Sequence, residues 1–236
     1  MMSGSFSEHR QKVVVKTKEI VSWILRTFAT RDRSVMLTLW KALVIPHFDY
    51  CSQLWSPSTI NLIQELEVIQ ASFLKKIKGL TNMNYWDQLK ALNMYSLQRR
   101  RDRYRILYVW SILEKIVPNF NHNENGREVG GITYYNHIRH GRKCSLRTVE
   151  RSYYRGVISE SFSVQGPRLF NSLPKDVRNI TGCSKEKFKS ALDKFLCKIP
   201  DEPHIKNCHA VRHAESNNLV EQIKTFKSIG LCELDG

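Results

Sequence analysis

The sequence of 236 residues predicts a mainly α-helical protein, in which a helical bundle is followed by a smaller α+β segment with a few short strands. Two observations carry this prediction. Apolar residues recur at helical spacing through the first half of the chain. After residue 117 the composition changes to a stretch rich in Asn, Gly and His, which is typical of a loop.

The first two helices are expected before residue 56. Ser5 or Ser7 is a candidate cap for the first, which runs to about Phe28. The second begins near Asp32, and Pro46 is expected to kink or break it. Apolar residues lie on one face of each helix, so both are expected to pack against a common core.

Three further helices complete the predicted bundle over residues 1–117. The clearest apolar stripe starts after Ser56-Pro57-Ser58 and ends at Gly79, a natural C-terminal stop. A short helix is expected at Tyr85–Leu92, and a long one from Ser96 to about Val117. Successive amphipathic helices of this kind predict a bundle. The tryptophans of these segments are expected in the core: Trp40, Trp55, Trp86 and Trp110.

Residues 118–143 are predicted to form a loop or linker, and residues 144–199 a small α+β module. Loose alternation of apolar and polar residues favours short strands within 144–165. A last helix of the module is expected from Ser184. Residues 200–236 are predicted to form a polar, loose tail with a weak helical stretch from Leu219 to Phe226.

Charge is the strongest compositional signal. Lys and Arg total 37 against 22 Asp and Glu, a net charge of +15. Residues 1–199 carry the excess, and the tail is slightly acidic. A chain this basic attracts polyanions, most often nucleic acid and less often an acidic membrane face. The alternative is a basic protein whose charge serves solubility alone.

The cysteines and histidines do not predict a metal site or a cofactor. No two of the six cysteines share a CxxC spacing, and no apolar signal segment leads the chain, so reduced thiols in the nucleus or cytoplasm are expected, not secretion. A cluster near the end has residue types that suit zinc, but Pro203 and the lack of a second paired cluster argue against a closed site. Its members are His204, Cys208, His209 and His213.

No complete catalytic motif is found in the sequence. Phosphate-cradling, nucleophile-elbow and zinc-helix motifs do not occur, and none of the eight aspartates are adjacent. A two-metal polymerase or nuclease needs carboxylates close enough to bridge two cations. The chain is therefore expected not to be an enzyme by itself.

An arginine run in the last bundle helix is the main candidate for nucleic-acid contact. Its functional interpretation is contact with phosphates, with Tyr104 as a stacking surface. The alternative is a solvated helix surface whose arginines pair with Glu65, Glu67 or Glu114. The run consists of Arg99, Arg100, Arg101, Arg103 and Arg105.

Two smaller basic groups are also candidates. Lys75, Lys76 and Lys78 lie at a predicted helix C-terminus, where the helix dipole alone favours cations. A scattered group in the loop and strand region suits a flexible arm that follows a phosphate backbone. That group contains Arg142 and Lys143, together with Arg139, Arg147, Arg151 and Arg155.

Several segments together resemble LINE-type, non-LTR retrotransposon proteins of the jockey-like kind. The longest, Leu37–Pro57 (LTLWKALVIPHFDYCSQLWSP), resembles the stretch just after the polymerase core. Phe170 departs from the family element F-x-x…x-W-N-x-L-P, which usually has Trp at that place. The other matching segments are Phe6–His9, Glu65–Gln70, Tyr85–Leu92, Ser96–Arg101, Phe162–Val164, Leu169–Pro174 and Phe188–Leu192.

The resemblance implies the thumb and following C-terminal region of an RNA-directed DNA polymerase. The family's palm holds two magnesium ions with adjacent aspartates, and no position here matches them. A polymerase thumb grips the primer–template duplex along its backbone, so the implied partner is RNA or an RNA–DNA duplex, bound without sequence specificity. A polymerase-containing protein chain is a further implied partner, and no membrane is expected. The alternatives are a helical interaction protein that docks on a partner chain and a non-functional truncated element copy.

Overall fold

The computed structural model is mainly helical and contains, within its described part, one two-stranded antiparallel sheet. This confirms the predicted fold class. The chain divides into two compact units. Unit 1 comprises Met1–Arg101 and Asp201–His213, and unit 2 comprises Asp102–Pro200 and Ala214–Gly236. The structure describes residues 3–57, 59–117, 132, 134–137, 139, 141–146, 161–205 and 215–228.

Unit 1 is built from consecutive helices, as the apolar stripes predict. Asn84 caps the helix Tyr85–Leu92 by accepting a hydrogen bond from the backbone N–H of Asp87 at 2.9 Å. The helices are α1 (Ser3–Thr27), α2 (Arg33–Leu39), α3 (Ile45–Asp49), α4 (Ser52–Trp55), α5 (Ile60–Leu74), α6 (Tyr85–Leu92) and the first residues of α7 (Leu97–Leu113).

The predicted disturbance at Pro46 takes the form of a π-helical turn. Residues Trp40–Val44 form this turn between α2 and α3, and Pro46 lies in the first turn of α3. Proline lacks an N–H and its ring clashes with the preceding turn, so a widened turn lets the helical path continue. The path ends at Asp49, and Cys51 adopts a left-handed conformation with φ of 49°.

The core of unit 1 is aromatic and aliphatic. The rings of Trp40 and Phe73 lie 4.7 Å apart between centroids, and both side chains are fully buried. Trp55 and Trp86 are buried as predicted, as is Trp110 in unit 2. Trp110 stacks on Phe188 with centroids 4.6 Å apart. The tryptophans therefore serve packing, which agrees with the sequence prediction.

In its described residues, unit 2 contains the rest of α7, one β-hairpin and four further helices. The hairpin strands pair in antiparallel register, with Tyr135 opposite Lys143 and Asn136 opposite Arg142. The strands are β1 (Tyr134–His137) and β2 (Gly141–Cys144), and the helices are α8 (Phe162–Ser172), α9 (Lys175–Arg178), α10 (Lys185–Leu196) and α11 (Leu219–Ser228).

The predicted strand positions were wrong where the structure describes them. Both strands begin inside the predicted linker 118–143, and Phe162 and Val164 lie in α8. The apolar side chains of Val164, Leu169 and Phe170 are buried in α8, and their spacing of five and one residues does not alternate as in a strand. Most of the predicted strand region, 147–160, lies outside the described residues.

The tail is not loose where it is described. In unit 1, Glu202 is buried, and Trp86 donates its indole N–H to the carbonyl of Pro203 at 3.2 Å. In unit 2, α11 covers the predicted helical stretch and buries Leu219 and Ile223. The prediction underestimated this segment because its apolar residues are few, although Leu219 and Ile223 are buried.

Candidate nucleic-acid interface

The arginine run of α7 is largely buried. The exposed fraction is 0% for Arg99, 3% for Arg101 and 7% for Arg103. Buried residues occur around the whole circumference of α7, because apolar side chains follow the run on every side of the helix. The prediction of a phosphate contact is therefore corrected for these three buried arginines, whereas the side chain of Arg100 is 30% exposed.

Most arginines of the run pair with aspartates. Within unit 2, the Arg103 guanidinium donates to Asp193 at 2.7 Å, and Arg105 lies 3.7 Å from Asp102. Within unit 1, Arg100 donates two hydrogen bonds to Asp49, the shorter at 2.7 Å. The planar guanidinium suits such two-point pairing with a carboxylate. Internal ion pairs, the alternative interpretation, therefore account for three arginines of the run, and the charge of Arg101 acts on Glu67, one of the predicted glutamates.

The N-terminus of α7 is closed by carboxylates of unit 1. Glu67 is fully buried and accepts from the backbone N–H of Gln98 at 2.6 Å and from the Tyr85 hydroxyl at 2.7 Å. Burial raises the pKa of Glu67, and the nearby charge of Arg101 opposes that rise. Asp201 accepts from the backbone N–H and the hydroxyl of Ser96, both at 2.7 Å. The donors at this helix end are therefore already used inside the protein.

Lys75, Lys76 and Lys78 are exposed, as a nucleic-acid contact requires. They lie in the turn after α5, and the backbone N–H of Lys78 donates to the carbonyl of Arg31 at 2.9 Å. This bond places the turn against the segment that joins α1 and α2. One end of unit 1 therefore presents three lysines beside a second basic segment.

Two more cations extend this group. Arg33 is exposed and donates to the carbonyl of Ala91, at the end of α6, at 3.3 Å. Lys90, the neighbour of Ala91, is also exposed. The exposed Asp32 lies among them and accepts a hydrogen bond from Thr30 at 3.1 Å. We call the five cations the basic patch: Arg33, Lys75, Lys76, Lys78 and Lys90.

The members of the second predicted basic group, in the loop and strand region, differ in exposure. Arg142 is buried, donates to Glu114 at 2.6 Å and lies over the Tyr134 ring, 4.5 Å from its centroid. It is a structural residue, so its predicted phosphate contact is corrected. Arg139 is exposed and Lys143 is half-buried. Arg147, Arg151 and Arg155 lie outside the described residues.

Helix α10 carries a row of lysines that the sequence analysis missed. Lys187 and Lys194 are exposed and lie seven residues apart, on one side of the helix, and the exposed Lys198 follows the end of the helix. That spacing was readable in the sequence. It was missed because the lysines are separated by the apolar residues that define the helix.

Other types of site were sought in the described part of the chain. There, no group of three or more His, Cys, Asp or Glu side chains could hold a metal ion, and no helix is long and apolar enough to cross a membrane. His204 is exposed and hydrogen-bonds to Gln64. Cys208, His209 and His213 lie outside the described residues.

Comparison of the chain with models of protein families, with curated proteins and with solved structures gave no match. The function proposed below is therefore inferred from the geometry above and from the family resemblance of the sequence.

Proposed function

We propose that this protein is a non-catalytic segment that binds the backbone of RNA or an RNA–DNA duplex without sequence specificity, and that the basic patch makes the contact. The observation that carries the proposal is the exposure of five cations from three neighbouring segments at one end of unit 1. The net charge of +15 supports it. So does the resemblance to the region that follows the polymerase core in non-LTR retrotransposon proteins.

The chemistry of the patch favours phosphates over bases. An ammonium group on a flexible stem is a point charge, which attracts a phosphate oxygen but does not read a base edge in two-point geometry. Each phosphate that a cation neutralises releases a counterion. Each such contact with a duplex adds about 0.9 to the magnitude of the slope of log affinity against log salt concentration. Binding should therefore be steeply salt-dependent and nearly equal for all sequences.

The direct test compares two triple variants of equal charge. Replacing Lys75, Lys76 and Lys78 with Ala should reduce the magnitude of the log–log salt slope by about 2.7 and weaken binding to all duplex sequences alike. The control triple replaces Lys12, Lys16 and Lys18 on α1. Lys12 and Lys16 already lie near glutamates, at 2.6 Å from Glu8 and 3.9 Å from Glu19.

Fluorescence anisotropy with a labelled RNA–DNA duplex measures both affinity and slope. The proposal predicts a large loss for the patch variant and a small one for the α1 variant. Equal losses would show that only total charge matters, and an unchanged slope in the patch variant would place the contact elsewhere. Either result would contradict the proposal.

A second candidate function is docking on a partner protein chain. Three of the large apolar side chains exposed in unit 1 lie close together in the chain, with exposed fractions of 68% for Tyr50, 64% for Leu54 and 62% for Ile60. Apolar residues exposed close together in the chain favour an interaction site. Light scattering on the wild type and on Leu54→Ser with Ile60→Ser tests this. Association that the double substitution abolishes would support docking, and a monomer in both cases would count against a surface for self-association.

A further inference from the structure

Hydrogen bonds along β2 hold the β-hairpin to the rest of unit 2. The carboxamide of Asn171 accepts from the backbone N–H of Cys144 at 2.7 Å and donates to the Cys144 carbonyl at 2.8 Å. Asn179 accepts from the backbone N–H of Arg142 at 2.9 Å. These bonds occupy β2 on the side away from β1. Strand β1 is therefore the outer strand of the hairpin.

The two faces of the hairpin differ in burial. Arg142 and Cys144 point to one face and are buried, with 5% and 1% of their surface exposed. Side chains alternate between faces along a strand, so Lys143 and its partner across the strands, Tyr135, point to the other face. That outer face therefore carries an aromatic ring directly beside a lysine.

Tyr135 differs in its surroundings from Tyr85 and Tyr134. Tyr85 is buried and donates its hydroxyl to Glu67, and the Tyr134 ring is covered by the Arg142 guanidinium. Tyr135 is 48% exposed, on the face opposite to Arg142. Arg139, in the turn of the same hairpin, is exposed as well.

We propose that the outer face of the β-hairpin binds single-stranded nucleic acid, with one base stacked on Tyr135 and the adjacent phosphates contacted by Lys143 and Arg139. An aromatic side chain beside cations is the arrangement that binds single strands, because every base has a π-face and the backbone runs alongside it. In a duplex the bases already stack on each other, and a ring on a strand surface cannot reach their faces. The proposal rests on the proposed function, since it names a second contact and the form of nucleic acid that uses it.

The test measures binding of a labelled single-stranded RNA of about 12 nucleotides and of the matching RNA–DNA duplex. Tyr135→Ala should weaken single-strand binding about tenfold and leave duplex binding unchanged, because stacking one base contributes on this scale. Tyr135→Phe retains the ring and should bind like the wild type. Tyr50→Ala removes a tyrosine of unit 1 that is more exposed, at 68%, and serves as the control.

A second measurement changes the nucleic acid by removing its bases. Wild-type protein should bind an abasic strand of the same length about tenfold more weakly than the normal strand, and Tyr135→Ala should bind the two alike. Equal single-strand affinity of Tyr135→Ala and wild type would overturn the proposal, as would an equal loss for Tyr50→Ala.

The outcome separates this proposal from the proposed function. If the lysine triple variant loses duplex binding while Tyr135→Ala changes nothing, only the hairpin site is refuted. If the triple variant keeps its salt slope while Tyr135→Ala loses single-strand binding, the basic patch is refuted and the hairpin site stands.

Discussion

Single side chains complete the hydrogen bonding of unit 2. The Asn171 carboxamide pairs with both backbone groups of Cys144, as a neighbouring strand would. An unpaired buried backbone group costs free energy, so this residue replaces a missing strand. The sequence singled out Asn171 only through the family resemblance. Its role could not be predicted because its partner Cys144 is 27 residues away, and the predicted strand region began at residue 144, where β2 ends.

Asn171→Ala should lower the free energy of unfolding by about 1–3 kcal/mol, because both backbone groups of Cys144 would lose their partner in a buried place. Urea unfolding monitored by circular dichroism measures the change. Asn136→Ala, in the exposed outer strand, is the control and should change stability little. Equal destabilisation by the two substitutions would refute the role assigned to Asn171.

The ionisation of Glu114 makes the stability of unit 2 depend on pH. Burial opposes ionisation of this carboxylate, but hydrogen bonds from the Gly182 N–H at 2.9 Å and from Arg142 at 2.6 Å outweigh it and lower its pKa. A lowered pKa in the folded state means that the stabilisation is present above the ordinary pKa of a glutamate. It is lost as the pH falls through the lowered value.

Thermal unfolding of the wild type and of Glu114→Gln, followed from neutral to acidic pH, tests this assignment. The wild type should be the more stable near neutrality, and the difference should shrink as the pH falls, since the carboxylate then becomes protonated. A difference that stays constant over the whole range would show that ionisation of Glu114 does not contribute.

At the scale of helices, the start of α7 is fixed by a distant segment. Asp201 accepts two hydrogen bonds from Ser96 although 105 residues separate them. Glu67 binds the next two backbone N–H groups, of Leu97 at 3.2 Å and of Gln98 at 2.6 Å. These contacts satisfy donors that every helix N-terminus leaves open. They also explain why the tail is ordered at this point.

Asp201→Ala should destabilise the protein by about 1–2 kcal/mol, the usual cost of losing an N-terminal cap. Asp32→Ala is a matched control, because Asp32 precedes α2 but makes no capping bond with its side chain. Denaturant titration of both variants measures the difference. A cost for Asp32→Ala as large as that for Asp201→Ala would refute the capping role.

The helices show which elements were predictable. The bounds of α6 were predicted correctly, because a capping asparagine precedes it and its apolar residues follow one period. The hairpin was missed, because a stretch rich in Asn and Gly resembles a loop whether or not its ends pair. The pairing depends on Asn171 and Asn179, which lie beyond the predicted strand region.

For the whole molecule, the net charge must be distinguished from the positions of the charged side chains. The net charge of +15 is a sum, and it contains arginines that pair inside the protein as well as exposed lysines. Guanidinium groups suit buried pairs with carboxylates, whereas ammonium groups are more strongly hydrated. The net charge predicts a polyanionic partner. The densest arginine run received too much weight in the prediction, because burial of α7 depends on contacts that no local pattern reveals.

The salt dependence of duplex binding by the wild-type protein tests the central claim most directly. If the five cations of the basic patch each neutralise one phosphate, the log of the association constant should fall with the log of salt concentration with a slope near −4.5. Affinity should also be nearly the same for duplexes of unrelated sequence. A flat salt dependence, or strong preference for one sequence, would contradict binding to the phosphate backbone.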